Sequence, residues 1–199
     1  AESVVIEGNV AGAALRTGVA YTASTYNIGF GAYVPEFSFF AEEGVMEDGT
    51  RTVGEHGVAT SRESVVASTD GVAATISELN TDFALLQEVD VDSTRSYGVN
   101  QKAALEEAFA DKSSAYAVNF HSAFLAYPVP EMQGIVNSGI LTLADVHATS
   151  ATRRSYPVSD EFPDKFFDLD RCFLVERFPV ENGKELVLIN SHMSAYDTT

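Results

Sequence analysis

The strongest constraint on what this chain can fold into is a set of short apolar runs, each stopping at a chemically useful polar residue. Tyr26 leads into Asn27, Phe83-Ala84-Leu85-Leu86 delivers Gln87-Glu88, and Leu186-Val187-Leu188-Ile189 runs into Asn190-Ser191-His192. Runs this short suit buried strands better than helices. Strand ends are also where layered α and β scaffolds mount their sites. One such ending carries little weight, because a Glu after a strand is usually a solvated loop charge; three together point to a site.

A chain of 199 residues, 45% hydrophobic and 21% charged, is long and apolar enough to bury a core, so residues 1–199 read as one domain or part of one. No apolar run approaches the ~20 residues that span a bilayer. The sequence opens on Ala1 rather than Met, which leaves a signal, an anchor or further upstream protein open and assigns no location. The lone Cys172 excludes an internal disulfide framework and a cysteine-rich metal site; within Cys172-Phe173-Leu174-Val175 it reads as a small buried hydrophobe. A net charge of -17 opposes passive adhesion to polyanions, since those are held mainly by Lys and Arg. It still permits an enzyme that grips one phosphate locally through a cation.

The local pattern alternates and then turns β-rich, which favours α plus β layers over a bundle. Strands are expected over about 19–26, from Phe83 to Leu86, and near 116–120, 139–143, 171–178 and 186–190. Thr60-Ser61-Arg62-Glu63 has capping-box spacing, and Val72, Ile76 and Leu79 share one helical face, so a helix is expected over about 61–80, with Gly71 a point of interruption. A second helix is expected over about 100–110, with Leu105, Ala108 and Phe109 on one side. Residues 32–59, with Pro35 and the Phe37, Phe39 and Phe40 cluster, read as a long irregular excursion. Those rings suit contact with lipid or burial, burial being the commoner fate.

Glu88 and Asn27 offer hard oxygen ligands of the kind Mg²⁺ accepts while keeping several waters. Each also has a plain reading, Glu88 as a surface charge and Asn27 as a turn former before Gly29. His192 stands where an imidazole can bond a phosphoryl oxygen or move a proton near neutral pH. His56, His121 and His147 lack such a setting and read as ordinary surface or core residues. Arg153-Arg154 reads as a solvated loop pair.

Tyr26-Asn27-Ile28-Gly29, Leu86-Gln87-Glu88-Val89-Asp90, Asn137-Ser138-Gly139-Ile140-Leu141-Thr142 and Ile189-Asn190-Ser191-His192 follow one another in an order that resembles the endonuclease/exonuclease/phosphatase superfamily. The likeness spans about residues 25–197, and stretches 87–97 and 167–175 look like a bacterial branch of it. It implies an α+β fold, a four-layer αββα sandwich of the DNase I-like kind, and hydrolysis of phosphoester bonds with Mg²⁺ or Mn²⁺. Carried over motif by motif, it implies a metal-binding role for Glu88 with Asn27 beside it, and contact with the reacting phosphate for His192. Asn137 matches a position that approaches the phosphate. Arg171 and Arg95 are further substrate-binding candidates, because a guanidinium can clamp a phosphate bidentately, although Arg171 suits a surface ion pair equally well.

The chain departs from the family at its end, Ala195-Tyr196-Asp197-Thr198-Thr199. The family continues with a Gly-Asp-Phe-Asn-like motif and a terminal Asp-His pair, neither of which is present. The resemblance therefore implies an apparently truncated sandwich, active as the full-length protein, inactive or nearly so as these 199 residues, and in want of a complementary C-terminal segment. The substrate class stays open among a nucleic acid, a phospholipid headgroup and a small phosphate ester. The competing reading is a non-catalytic binding or surface module that keeps the fold; the joint presence of Asn27, Glu88 and His192 weighs against it. A structural Ca²⁺ scaffold is disfavoured because no Asp-x-Asp-x-Asp-Gly loop occurs.

Overall fold

The computed structural model describes residues 1–8, 13–156 and 171–193. The parts of the resembling stretches at 167–170 and 194–197, and the chain end to 199, lie outside them.

The elements follow in chain order as β1 (Glu2–Ser3), β2 (Ile6–Glu7), β3 (Ala23–Asn27), β4 (Glu43–Val45), β5 (Arg51–Val53), α1 (Arg62–Leu79), β6 (Phe83–Asp90), α2 (Gln101–Ala108), β7 (Ser113–Leu125), β8 (Gly134–Ala144), β9 (Ser150–Ser155), β10 (Cys172–Pro179) and β11 (Glu185–Ser191). They build a five-stranded sheet in the order β2-β7-β8-β6-β3 and a four-stranded sheet in the order β1-β9-β10-β11, beside a small β4–β5 hairpin. Among the strands of the described residues only β3 and β6 pair in parallel, with α1 in their crossover; the other strand pairs are antiparallel.

Two apolar layers order these elements. Val72 and Ile76 of α1 and Leu105 of α2 pack on Ala84, Leu86, Leu141 and Leu143, which covers the outer face of the five-stranded sheet. On its other face Phe83 and Leu85 meet Phe178, and Ala115, Ala117 and Ile140 meet Cys172 and Leu174, so the two sheets are packed face to face. Each fully buried Leu or Phe in these layers contributes about 1.5–3 kcal/mol. The far face of the four-stranded sheet carries Val187 and Ile189, 44% and 54% exposed, and no helix covers it among the described residues.

Several sequence expectations are corrected here. The strand expected over about 19–26 is β3 and begins at Ala23, two short strands precede it, and the 32–59 excursion contains the β4–β5 hairpin. The N-cap of α1 is Ser61, whose hydroxyl accepts the Ser64 N–H at 3.0 Å; Gly71 lies within one unbroken helix, where it has open space around it. Arg153-Arg154 is not a loop pair, because both lie in β9. Arg153 is buried and its Nε donates to the Val118 carbonyl at 2.9 Å. The Phe37 and Phe39 rings pack edge-on against the buried Phe30, so burial claims that cluster. Cys172 is buried, as its apolar setting predicts.

Candidate metal and phosphate site

The site forms where β3, β6 and β11 end, and each strand brings its residue there differently. β3 runs beside β6 with Asn27 opposite Gln87, which places Asn27 next to the residue that follows. Along β11, Leu186 and Leu188 pack toward the core between the sheets and Asn190 is fully buried, so period-two alternation carries His192 to the same inward row.

Strand β6 needs a defect. Its register with β8 passes from Leu86↔Leu141 to Val89↔Gly139, three steps on β6 against two on β8. The extra residue of this β-bulge is Glu88, which sits in the left-handed region at φ 56°. Simple alternation would send Glu88 toward the helices with Ala84 and Leu86. The bulge gives that place to Val89, which joins the helix-side core, and turns Glu88 out at the strand end.

A carboxylate residue in that conformation holds only if its surroundings enforce it. Tyr116 Oη donates to the Val89 carbonyl at 2.9 Å, and the buried Gln101 of α2 accepts the Asp90 N–H at 3.0 Å. The backbone groups displaced by the bulge are thereby satisfied. Gly139 leaves room for the tyrosine: a Cβ there would stand 2.5 Å from the Tyr116 ring and 2.4 Å from the Ala117 carbonyl oxygen.

At the strand ends, Asn27 Nδ2 donates to Glu88 Oε1 at 2.9 Å, while Asn27 Oδ1 accepts the Gly29 N–H at 2.9 Å. His192 Nε2 lies 3.5 Å from the same Glu88 oxygen. Arg171 Nη1 lies 3.2 Å from His192 Nδ1. Since a guanidinium only donates, Nδ1 accepts and the imidazole proton sits on Nε2, facing Glu88. Burial lowers the His192 pKa; the Glu88 carboxylate pulls it back up, and Arg171 and Arg95 add to the lowering. The net lowering favours the neutral imidazole.

The other expected residues divide. Arg95 is no free clamp: its Nε and Nη2 hold the Asp90 carboxylate at 3.0 and 2.9 Å, and its guanidinium lies 4.0 Å from the Phe30 ring centroid. Burial opposes that charge, yet Asp90 more than compensates and the Arg95 pKa is raised. Asn137 sits on the same sheet end, but its Nδ2 donates to the Asp92 carbonyl at 2.9 Å and its Oδ1 lies 2.5 Å from His121 Nδ1. His121, unremarkable in sequence, is thus Asn137's partner across β7 and β8, a contact that only strand register reveals. Gln87 and Asn190, which end two of the apolar runs but draw no role from the sequence pattern alone, also join the site's support.

A cleft of ≈ 610 Å³ opens beside Asn27 and Glu88, bounded by Tyr26, Tyr33 and the Gly71 and Thr75 side of α1. Glu88 Oε2 has no hydrogen-bond partner among the described residues. The Glu88 carboxylate, held by the Asn27 Nδ2–H while Asn27 Oδ1 accepts from Gly29, is a single hard-oxygen ligand that fits a Mg²⁺ or Mn²⁺ ion retaining most of its waters. Among the described residues no group of three or more His, Cys, Asp or Glu converges, so a closed site of the structural zinc type is not formed there. No helix of the described residues is long and apolar enough to cross a membrane.

No protein-family model matches the chain, and no curated protein does. Among solved structures it is similar to an endonuclease/exonuclease/phosphatase from Beutenbergia cavernae DSM 12333, at 17% identity and TM-score 0.53, over 86% of this chain and 38% of that one. It is also similar to an endonuclease/exonuclease/phosphatase family protein from Leptotrichia buccalis C-1013-b, at 15% identity and TM-score 0.49, over 88% of this chain and 54% of that one. A third is ANGEL2, a 2',3'-cyclic phosphatase in complex with adenosine-2',3'-vanadate, at 14% identity and TM-score 0.40, over 87% of this chain and 41% of that one. The first likeness identifies the fold as that of the endonuclease/exonuclease/phosphatase proteins. The chain spans 38% and 54% of the length of the first two structures it matches.

Proposed function

We propose that the full-length protein belongs to the endonuclease/exonuclease/phosphatase superfamily and hydrolyses phosphoester bonds with a divalent metal ion. The observation that carries this reading is the meeting of Asn27, Glu88 and His192 around one carboxylate oxygen, at the ends of three strands from two sheets. Glu88, with Asn27 beside it, would hold Mg²⁺ or Mn²⁺. The bound ion supplies Lewis-acid polarisation of the phosphoryl oxygen and offsets developing negative charge.

The protein's own groups do the rest. Asn27 Nδ2 orients the Glu88 carboxylate by occupying Oε1, and Glu88 lines the cleft. Arg171 occupies His192 Nδ1, so Nε2–H is the donor presented to a phosphoryl oxygen. Arg171 itself adds positive charge at the same end. The net charge of -17 favours a small phosphate ester or a headgroup over a long polyanion.

The test is Mg²⁺ and Mn²⁺ titration of the full-length protein with bis(p-nitrophenyl) phosphate and p-nitrophenyl phosphate. Saturable, chelator-sensitive release of nitrophenol, abolished in Glu88→Gln and His192→Ala, is the expected result. Absence of metal-dependent turnover on every phosphoester tried would instead favour a binding module that keeps the fold.

A further inference from the structure

Directly beneath the Glu88–His192 contact, the two sheets are tied by a buried pair of amides. Gln87 Nε2 donates to Asn190 Oδ1 at 2.9 Å, and Asn190 Nδ2 lies 3.1 Å from the Leu141 carbonyl and 3.3 Å from the Leu86 carbonyl. Gln87 precedes Glu88 on β6, and Asn190 stands two residues before His192 in the same inward row of β11. Around them the interface between the sheets is filled largely by apolar side chains such as Leu85 and Leu188, with Glu176 beside Thr142 and the Arg153–Val118 bond as further polar contacts. Apolar contact there resists separation of the sheets but tolerates sliding, whereas a directed amide bond fixes register.

The chain offers no cheaper reason for this pair. Burying two primary amides is costly unless their hydrogen bonds are made, and apolar residues of similar volume would fill the space without that requirement. Gln87 Nε2 also bonds on its own strand, to the Leu85 carbonyl at 3.1 Å, while Asn190 Nδ2 reaches further across the interface, to Thr142 Oγ1 of β8 at 3.3 Å. Both side chains are therefore rigid, and a shift of one sheet against the other breaks several bonds together.

We infer that Gln87 and Asn190 are positioning residues, whose bond across the two sheets sets the separation of Glu88 from His192 for the reaction proposed above, on which this inference rests. They touch neither metal nor substrate. Their loss should leave Glu88 with Asn27 and the bulge intact and displace His192, so metal binding persists while turnover falls.

The variants are Gln87→Met, Asn190→Leu and the double Gln87→Met/Asn190→Leu, made in the full-length protein. The double replaces the amide pair by an apolar pair, and its Tm should return to within about 4 °C of wild type. Its kcat should still fall about 100-fold, the cost of misplacing a reacting group by about 1 Å. KM and the Mn²⁺ dissociation constant, read by isothermal titration without substrate, should stay within about threefold. In its crystal structure the Glu88–His192 separation should exceed the present 3.5 Å.

A double variant with wild-type kcat, or with an unchanged Glu88–His192 separation, overturns the inference. So does a loss of Mn²⁺ affinity that matches the loss of turnover, since that marks collapse of the site rather than displacement of one group. If the double variant does not fold, Asn190→Leu alone, which removes every amide bond of Asn190 across the sheets and leaves Gln87 bonded to the Leu85 carbonyl, is read by the same criteria. Failure of the wild-type protein to turn over any phosphoester would sink the functional reading, while the crystallographic separation still decides the positioning role.

Discussion

His192 Nε2 stands 3.5 Å from Glu88 Oε1 across the seam between the two sheets. The two residues arrive by opposite devices, an uninterrupted strand on β11 and a one-residue bulge on β6. The carboxylate is about one-quarter exposed and the imidazole about one-fifth, so the pair sees the cleft while most of its surface is shielded from water. Shielding strengthens the field each group exerts on the other and on anything bound between them.

Glu88→Gln removes the carboxylate charge with little change of shape. Mn²⁺ affinity of the full-length protein, measured by isothermal titration, should drop at least about 10-fold, and turnover about 100-fold or more. Unchanged metal affinity in this variant would remove Glu88 from the metal site.

The bulge depends on Tyr116 and on the absence of a side chain at Gly139. Tyr116→Phe strips the donor from the Val89 carbonyl and should cost about 1–3 kcal/mol in urea unfolding. Gly139→Ala forces a Cβ against the Ala117 carbonyl and the Tyr116 ring, and overpacking of this kind costs about 1–3 kcal/mol. Both variants should also weaken Mn²⁺ binding, because Glu88 loses the conformation that turns it outward. Weakened stability with full metal affinity would show that the carboxylate is placed by something else.

Arg95 and Asp90 form a buried bidentate ion pair under the site. Arg95→Met leaves Asp90 buried without its partner and should cost about 3–5 kcal/mol, measured by denaturant unfolding. At a temperature where the variant remains folded, KM for a phosphoester should be near wild type. A large rise in KM at full foldedness would return Arg95 to the role of a phosphate clamp.

Glu176 is buried between the sheets beside Thr142, and burial pushes its pKa from 4.5 up to about 7. A carboxyl raised in the fold contributes stability that is fully present below pH 4.5 and is lost as the pH rises to about 7. Unfolding free energy should therefore fall across that window, by on the order of 3 kcal/mol for this group. Glu176→Gln should flatten this part of the profile and be more stable than wild type at pH 8. Parallel wild-type and variant profiles between pH 4.5 and 7 would place the effect elsewhere.

Much of this architecture is legible in local pattern. The run from Phe83 to Leu86 is a strand because it is short, apolar and bounded by Asn80-Thr81-Asp82 and Gln87-Glu88. The helix at Arg62–Leu79 follows from the cap at Ser61 and the three- and four-residue spacing of Val72, Ile76 and Leu79, which a strand would split between two faces, although Leu79 itself is exposed in the fold; the helix at Gln101–Ala108 follows in the same way from the one face that Leu105 and Phe109 share. The strand holding Arg153-Arg154 was not legible, since two adjacent arginines look solvated until a neighbouring strand offers the Val118 carbonyl to one of them. Likewise Arg95, a plausible anion clamp by residue type, is committed to Asp90 and Phe30 through contacts that only folding creates.

For the site, the amino-acid order by itself determined which residue types end three strands: an amide at Asn27, a carboxylate at Glu88 and an imidazole at His192. It also determined the phase that carries His192 inward behind Leu186, Leu188 and Asn190. Only the tertiary structure decided that Glu88 faces the cleft. Period-two alternation points it toward the helices, and the bulge that reverses this is held by Tyr116 and Gln101, whose hydrogen bonds exist only after β7 and α2 have packed on β6. The same holds for the bond between Gln87 and Asn190. Both amides stand at strand ends in the sequence, but their meeting follows from the stacking of two sheets whose strands are distant in sequence.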